Sequence, residues 1–210
     1  MKKNEDTATK SYHHGDLKKA LLKAAELILE EDGIQALSLR EAARRVGVSH
    51  TAPRNHFGDM TGLLSELAAE GYLRFADALR KGADAAGDDP RSRLRAMGRA
   101  YLGFAITHPG LFTLMFRSEQ LDTSRPALHD ALAASRSAVE QAVSARTREA
   151  DDVSPLAQAA RLVAVRSLVH GFVVLLLENR LRGVMASVPG ADAETLLDAV
   201  MDSLSFAGID

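Results

Sequence analysis

Two short helical patterns joined by a glycine turn occupy residues 38–57, and this feature constrains the fold most strongly. Ser38 and Glu41 have the spacing of a capping box, in which each side chain binds a free backbone N–H at the start of a helix. Gly47 follows the last residue of the apolar periodicity, where a left-handed glycine commonly ends a helix, and Ser49 offers a second N-cap. The spacing predicts a helix-turn-helix, an arrangement that binds DNA.

The two helices of this motif differ in character. The second is polar on several sides, with Ala52 and Phe57 as its apolar anchors and with Pro53 at about its fourth position. Alone, such a helix is usually a solvated surface helix, but beside a capped helix and a glycine turn it indicates a DNA-reading helix. Val48 is expected to fill the space between the two helices. The first helix has one apolar face, formed by Leu39, Ala42, Ala43 and Val46.

The N-terminal residues of such a second helix enter the major groove, whereas contacts to phosphates position the protein on the duplex. For base edges we predict contacts from Arg40, Ser49, His50 and Thr51. For phosphates we predict contacts from Ser38, Arg54, Asn55 and His56.

Several segments resemble one known family. The runs YHHGDL at 12–17, LSLREAARRVGVS at 37–49 and HFGD at 56–59, followed by Leu63 and Leu64, are similar to the N-terminal domain of tetracycline-repressor-type (TetR-family) transcriptional regulators. Residues 108–116 and 168–172 resemble the effector domain of one branch of that family. The branch usually has a tryptophan where this chain has Arg166. The family usually has a tyrosine at Arg54, which still suits a phosphate, and a lysine at Met60, which does not.

The resemblance implies an all-α fold with an N-terminal three-helix helix-turn-helix domain and a C-terminal helical bundle for effector binding and dimerisation. It implies a ligand-responsive regulator that binds a palindromic double-stranded DNA operator as a homodimer and is released by a small effector. We predict a repressor, with an activator as the alternative, since the sign depends on where the operator lies. The apolar candidate residues given below predict a largely apolar effector. In the family the dimer forms through two helices near the C-terminus, which correspond here to 155–181 and 193–206.

Helical periodicity without any strand pattern extends through the rest of the chain. The predicted helices cover residues 17–32, 64–79, 91–107, 111–117, 125–147, 155–181 and 193–206, with breaks at 108–110, 118–124, 148–154 and 183–192. We predict a disordered arm at 1–11, a helix-turn-helix domain with a connecting helix at 12–80, and a ligand-binding and dimerisation domain at 81–210. The boundary is expected within 81–90, which is rich in glycine and aspartate.

Charge is distributed unevenly along the 210 residues, whose net charge is −2. Residues 1–60 hold ten Lys or Arg against nine Asp or Glu, with four of the seven histidines, and the remainder is acidic. An architectural DNA-binding protein without a ligand would be more basic. The balance favours a small DNA-contacting surface on a body that repels DNA.

Large apolar side chains on consecutive helices form a candidate effector site. The candidates are Met97, Tyr101, Phe104, Phe112, Met115, Phe116 and His170. Met and Phe at helical spacing are also ordinary core residues, and a lone histidine is more often a hydrogen-bonded buried residue. Glycines inside predicted helices, at 98, 103 and 171, indicate close helix approach or room for a ligand.

The longest apolar tract, 162–177, is interrupted by Arg166, Ser167 and His170. It is shorter than the roughly 20 residues that a bilayer requires, so we expect a buried helix near the dimer contact and no membrane partner. The chain has no cysteine, which fits a cytoplasmic protein.

An all-helical small-molecule-binding protein or a metal-dependent oxidase, without DNA function, is the alternative. No acidic residue stands three positions before any histidine, so the Glu-x-x-His pattern of helical di-metal sites is absent. Nucleophile-elbow and phosphate-loop motifs are absent too. We therefore predict neither catalysis nor a cofactor.

Overall fold

The computed structural model describes residues 14–117, 119–147 and 154–206, and within these ranges it contains helices and no strand. The all-α expectation is confirmed. The predicted arm at 1–11 and residues 148–153 of the predicted break at 148–154 lie outside the described residues. The helices are α1 His14–Asp32, α2 Leu39–Val46, α3 Ala52–Phe57, α4 Met60–Ala85, α5 Pro90–Thr107, α6 Pro109–Arg117, α7 Pro126–Thr147, α8 Pro155–Leu177, α9 Arg182–Ala186 and α10 Ala193–Phe206.

Helix α2 has the caps that its sequence predicts. The Ser38 hydroxyl accepts the Glu41 N–H at 3.1 Å. Gly47 adopts a left-handed φ of 75°. The N–H of Val48 donates to the Ala43 carbonyl at 3.1 Å, which is the hydrogen bond between the first and sixth residues of a Schellman motif. The Glu41 carboxylate binds the Arg44 guanidinium at 2.6 and 2.8 Å, so only the serine half of the capping box is formed.

The predicted start of the second helix is wrong by two residues. Helix α3 begins at Ala52 with Thr51 as its N-cap residue, and Pro53 is its second residue rather than its fourth. A helix capped by Ser49 would need the N–H of residue 53 to bind the Ser49 carbonyl, and proline has no N–H. The Ala52 N–H binds that carbonyl instead, at 3.0 Å, in a tighter turn.

Helix α4 runs through the predicted boundary. It begins at Met60, capped by Asp59, and continues to Ala85, so residues 81–85 are helical rather than linker. The small residues of this segment, Gly82 among them, explain why its sequence predicts a linker. At Gly82 a Cβ would lie 3.0 Å from the Cβ of Ala100, so the missing side chain permits close packing of α4 on α5.

Two further breaks differ from the prediction. His108 alone separates α5 from α6, since Pro109 already begins the next helix and the Phe112 N–H binds the His108 carbonyl at 2.8 Å. Proline is well tolerated at the first helical position. Helix α8 ends at Leu177 instead of 181, before the left-handed residue Asn179 (φ 59°), and α9 lies within the predicted break.

One hydrophobic core joins the N-terminal helices to the body, with α4 at its centre. Helix α4 packs against α1, α3, α5, α6 and α7. Leu63, Leu67 and Leu79 on α4 are fully buried. At Gly71 a Cβ would lie 2.7 Å from the Met115 sulfur, so α4 and α6 approach closely there. The connecting helix is therefore a structural part of both predicted domains.

Candidate DNA-contacting surface and effector cavity

The residues predicted to contact DNA lie together on α2, the turn and α3. All are exposed except His56, which is half-buried. Helix α3 is anchored from below by Pro53 and Phe57, both buried. Its polar residues consequently face solvent. Phe57 is 2% exposed, and Val48 packs against the same core as predicted.

The four arginines of this surface fall into two groups. Arg44 is bound to Glu41 at 2.6 Å, and Arg45 is bound to Glu31 at 2.6 Å and to Asp32 at 2.8 Å. The hydrogen bond from Arg44 lowers the pKa of Glu41 below its ordinary value. Arg40 and Arg54, in contrast, make no ion pair with any residue that the structure describes. These two exposed guanidinium groups are left for an external anion.

The start of α3 holds two hydroxyl groups in a fixed relation. The Ser49 and Thr51 hydroxyls are 2.7 Å apart, and the Ser49 hydroxyl also accepts the Thr51 N–H at 3.2 Å. Both residues are exposed. The geometry presents hydrogen-bonding groups at the end of α3 that a helix-turn-helix places in the major groove.

The candidate effector residues form one aromatic cluster in the body. Ring centroids are 4.7 Å apart for Phe112 and Phe116 and 5.1 Å apart for Phe116 and His170. The Tyr101 hydroxyl and His170 Nδ1 are 2.8 Å apart. Met97, Tyr101, Phe104, Phe112 and Met115 are buried, whereas Phe116 and His170 are half-buried.

Sequence reasoning missed two members of the cluster, both on α4. The Phe75 centroid is 4.8 Å from that of Tyr101, and the Tyr72 hydroxyl donates to the Met115 carbonyl at 2.6 Å. Burial raises the pKa of Tyr72 to about 12 and raises that of Tyr101 as well, with Arg166 opposing both rises. The apolar periodicity of α4 marked these rings as core-facing, without indicating which helix they meet.

Two small cavities lie beside the cluster. The first, of about 80 Å³, is lined by Tyr72, Phe75, Tyr101, Phe116, Leu132, Ser135, Arg136, Val139, Leu162 and Arg166. The second, of about 40 Å³, shares Tyr101, Val139 and Arg166 with the first and also touches Met97 and Gly98. Of the predicted residues, Phe104, Phe112, Met115 and His170 line neither cavity and pack around them. Gly98 permits close approach of α10, because its Cβ would lie 2.6 Å from the Met201 sulfur, whereas Gly103 and Gly171 face open space.

Several polar contacts join the N-terminal helices to the body. The Glu30 carboxylate on α1 accepts the N–H groups of Gly110 and Leu111 at 2.8 and 2.9 Å, at the start of α6. Arg125, just before α7, donates to the Phe57 carbonyl at the end of α3, at 3.2 Å. The buried Ser65 hydroxyl on α4 accepts the Asp122 N–H at 2.9 Å. These contacts connect α6 and the segment before α7 to α1, α3 and α4.

The described residues contain no group of three or more His, Cys, Asp or Glu side chains placed to hold a metal ion. One helix among them, α8, is long and apolar enough to cross a membrane by length and composition. In its most apolar 18-residue window the mean hydropathy is 1.8, yet only 17% of the window is buried. The prediction that this tract is buried is therefore wrong for the single chain.

Comparison with known proteins agrees with this arrangement. Residues 94–204, more than half of the chain, match the family described as tetracyclin repressor-like, C-terminal domain. A solved protein of unknown function from Rhodococcus sp. RHA1 is 32% identical, with 94% of this chain and 98% of that one aligned at a TM-score of 0.78. A regulatory protein of the TetR family from Rhodococcus RHA1, 17% identical, shares the fold at a TM-score of 0.63 over 92% of this chain and 96% of that one.

A curated relative was also found. The uncharacterized HTH-type transcriptional regulator YobS of Bacillus subtilis (strain 168) is 26% identical over 98 residues. The match covers 47% of this chain, which spans about half the length of that relative (50%). With the family match over more than half of its length, the chain belongs to the TetR family of transcriptional regulators.

Proposed function

We propose that the protein is a cytoplasmic, ligand-responsive repressor that binds a palindromic operator as a homodimer and is released by a small effector bound in the body. The observation that carries the proposal is the pair of exposed arginines, Arg40 and Arg54, without acidic partners among the described residues. They flank the exposed hydroxyls at the start of α3. In this proposal the protein binds DNA and an effector and catalyses no reaction.

On the operator, we assign Arg40, Ser49, His50 and Thr51 to base edges, and Ser38, Arg54, Asn55 and His56 to phosphates. Neutral hydroxyls and imidazoles at the tip of α3 suit hydrogen bonding to bases. The Arg54 guanidinium supplies the charge that displaces a counterion from a phosphate. One short helix reads few base pairs, so two copies are needed for useful specificity.

The homodimer contact is proposed on α8 and α10. Leu156 and Val163, which share one face of α8, are 80% and 61% exposed, an unusual degree for large apolar side chains on an apolar helix. Gly171, on the same helix, has no atom within 4 Å of its Cβ position. The acidic residues of α10 are already bound to arginines of α5, through Asp198 and Asp202. A second copy of this face would cover the apolar surface with twofold symmetry.

Release is proposed to occur through α4 and α6. An effector shifts the operator equilibrium only by its difference in affinity for the two arrangements of the DNA-contacting ends. Phe116 on α6 and Tyr72 on α4 both line the larger cavity. A molecule that enters there and displaces Phe116 would move α6, and Glu30 connects α6 to α1.

The test compares Arg54→Ala with Arg44→Ala. An operator is first selected from random duplex DNA with the purified full chain, and affinity is then measured by fluorescence anisotropy at several salt concentrations. Both variants lose one positive charge, but Arg44 is already bound to Glu41. Arg54→Ala should weaken binding to every sequence and flatten the salt dependence by about one unit of slope, whereas Arg44→Ala should leave the slope nearly unchanged.

Equal slopes for the two variants and the parent would show that Arg54 does not contact phosphate. Failure to select any DNA sequence would contradict the regulator proposal itself.

A further inference from the structure

We propose that the effector carries an acidic group, and that Arg166 and Arg136 bind it at the rim of the 80 Å³ cavity while its ring enters between aromatic side chains. This inference rests on the proposed function, because it names the chemical class of the molecule that the regulator senses. The class is a small aromatic acid with one ring and one carboxylate.

The first argument is the state of the two arginines. Arg166 on α8 and Arg136 on α7 both line the cavity, and both are exposed residues. Neither makes an ion pair with a residue in the described ranges. Among the residues that line this cavity, none is acidic. Two cations therefore share one rim without a counter-charge from the described part of the chain, and an anion bound there would neutralise both.

The arginines of α5 show a different pattern, whereas exposed Arg182 on α9 has no ion pair among the described residues either. Arg95 on α5 binds Asp202, and Arg99 binds Asp198 and Glu194. Arg93 binds Asp84 at 2.8 Å. These side chains have structural partners, as exposed arginines of folded proteins commonly do. The cavity arginines instead have their donors available, and a guanidinium presents a planar pair of donors that matches a carboxylate.

The second argument is the chemistry of the cavity walls. Four aromatic rings line it, those of Tyr72, Phe75, Tyr101 and Phe116, and they favour a flat apolar group. Burial raises the pKa of both tyrosines and Arg166 opposes the rise, so the Arg166 charge acts on both phenol groups. The phenols consequently remain neutral near pH 7 and do not repel an anion, and their hydroxyls are held by the Met115 carbonyl and by His170. Ser135, 8% exposed, adds another hydroxyl to the lining.

The third argument is size. An engineered cavity of about 150 Å³ holds benzene, so a space of about 80 Å³ admits one ring only when a wall side chain moves. Phe116 is half-buried and belongs to α6, whose N-terminus is held by Glu30. Displacement of Phe116 by the ring would move the helix that is connected to the DNA-contacting end. The small volume favours a ligand with a single ring.

The experiment uses the full-length protein and isothermal titration with one-ring acids (benzoate, salicylate and phenylacetate), with benzamide as the neutral isostere of benzoate. The variants are Arg166→Met, which keeps length without charge, and Arg166→Lys. The control is Arg182→Met, because Arg182 is an exposed arginine of α9 that lines neither cavity. Operator release is measured in parallel by anisotropy, and dimer mass by sedimentation.

At least one acid should bind, and its neutral isostere should bind about tenfold more weakly or worse, since a charge-assisted pair is lost. Arg166→Met should lose about tenfold or more in affinity for the acid, Arg166→Lys should lose less, and Arg182→Met should match the parent. All variants should keep operator affinity and dimer mass.

Three results would overturn the inference: no binding of any acid at millimolar concentration, equal binding of acid and amide, or unchanged acid affinity in Arg166→Met. Dissociation of the Arg166→Met dimer with unchanged acid affinity would place the arginine in the contact between protomers instead. Acid binding is measured without DNA, so this test of the effector class stands even if no operator is found. If operator binding occurs but no acid affects it, the DNA-binding proposal stands and the proposed effector class is wrong.

Discussion

Replacing Glu30 by glutamine tests whether α1 and α6 are coupled as the structure indicates. The Glu30 carboxylate accepts two backbone N–H groups at 2.8 and 2.9 Å from the first turn of α6. The amide of glutamine keeps one acceptor oxygen, and its NH₂ group faces the second N–H without a bond. The variant therefore loses one charge-assisted hydrogen bond and the favourable interaction of a negative charge with the helix N-terminus.

The expected cost follows from these two losses. A hydrogen bond to a charged group contributes about 1.5–3 kcal/mol, and Glu30 is half-buried, so a loss of about 2 kcal/mol is expected in the free energy of unfolding. If full release requires a coupling of about 2.7 kcal/mol for a hundredfold change in operator affinity, weakening the contact between α6 and α1 by about 2 kcal/mol should remove most of that coupling. The effector should then change operator affinity by only a few-fold.

Stability is measured by urea denaturation at fixed protomer concentration, because dimerisation adds to apparent stability. Glu31→Gln is the matched control on the neighbouring residue, since Glu31 forms an exposed pair with Arg45 and touches no body residue in the described structure. Its effect should be much smaller. Equal stability losses in the two variants, or an unchanged response to effector in Glu30→Gln, would refute the coupling.

Two further predictions concern the dimer and pH. Val163→Asp should shift the protein to monomer at micromolar concentration in sedimentation. Leu73→Asp on α4, where the apolar side chain is also exposed (52%), should remain dimeric. If both variants remain dimeric, the dimer contact does not lie on α8. Because burial raises the pKa of Tyr72 to about 12, its contribution to stability should be full below pH 10 and should be lost as pH rises toward 12. Tyr72→Phe should flatten that decline in urea titrations, and an unchanged pH dependence would contradict the assigned burial.

The parts of the fold that depend on local chemistry were predictable from the sequence. Ser38 and Gly47 cap α2 because the groups that they satisfy lie within five residues along the chain. The start of α3 differs from the prediction because a proline near the fourth position is expected to be tolerated at some cost, whereas the structure begins the helix two residues later, where the missing N–H of Pro53 costs no bond. Residues 81–85 were assigned to a linker because small residues indicate both loops and close helix contacts.

The parts of the candidate sites that depend on long-range contacts were less accessible. Glu30 meets Gly110 across 80 positions, and Arg125 meets Phe57 across 68. No local pattern marks either residue. The aromatic residues of α5 and α6 were selected by type and do meet, but Phe75 and the unpaired state of Arg136 required knowledge of which helix faces which.

The single core that α4 shares with both ends has a consequence for engineered sensors. A chimaera that joins the DNA-reading end of one regulator to the sensing body of another is usually cut at a loop, and here the loop after Ala85 lies beyond the helix that both ends share. A junction at that loop would place Tyr72 and Phe75 of one parent against α5 and α6 of the other. A hybrid that still responds to its ligand would have to take α4 together with the body, and would have to preserve Glu30 and the Arg125 contact to Phe57 across the new junction.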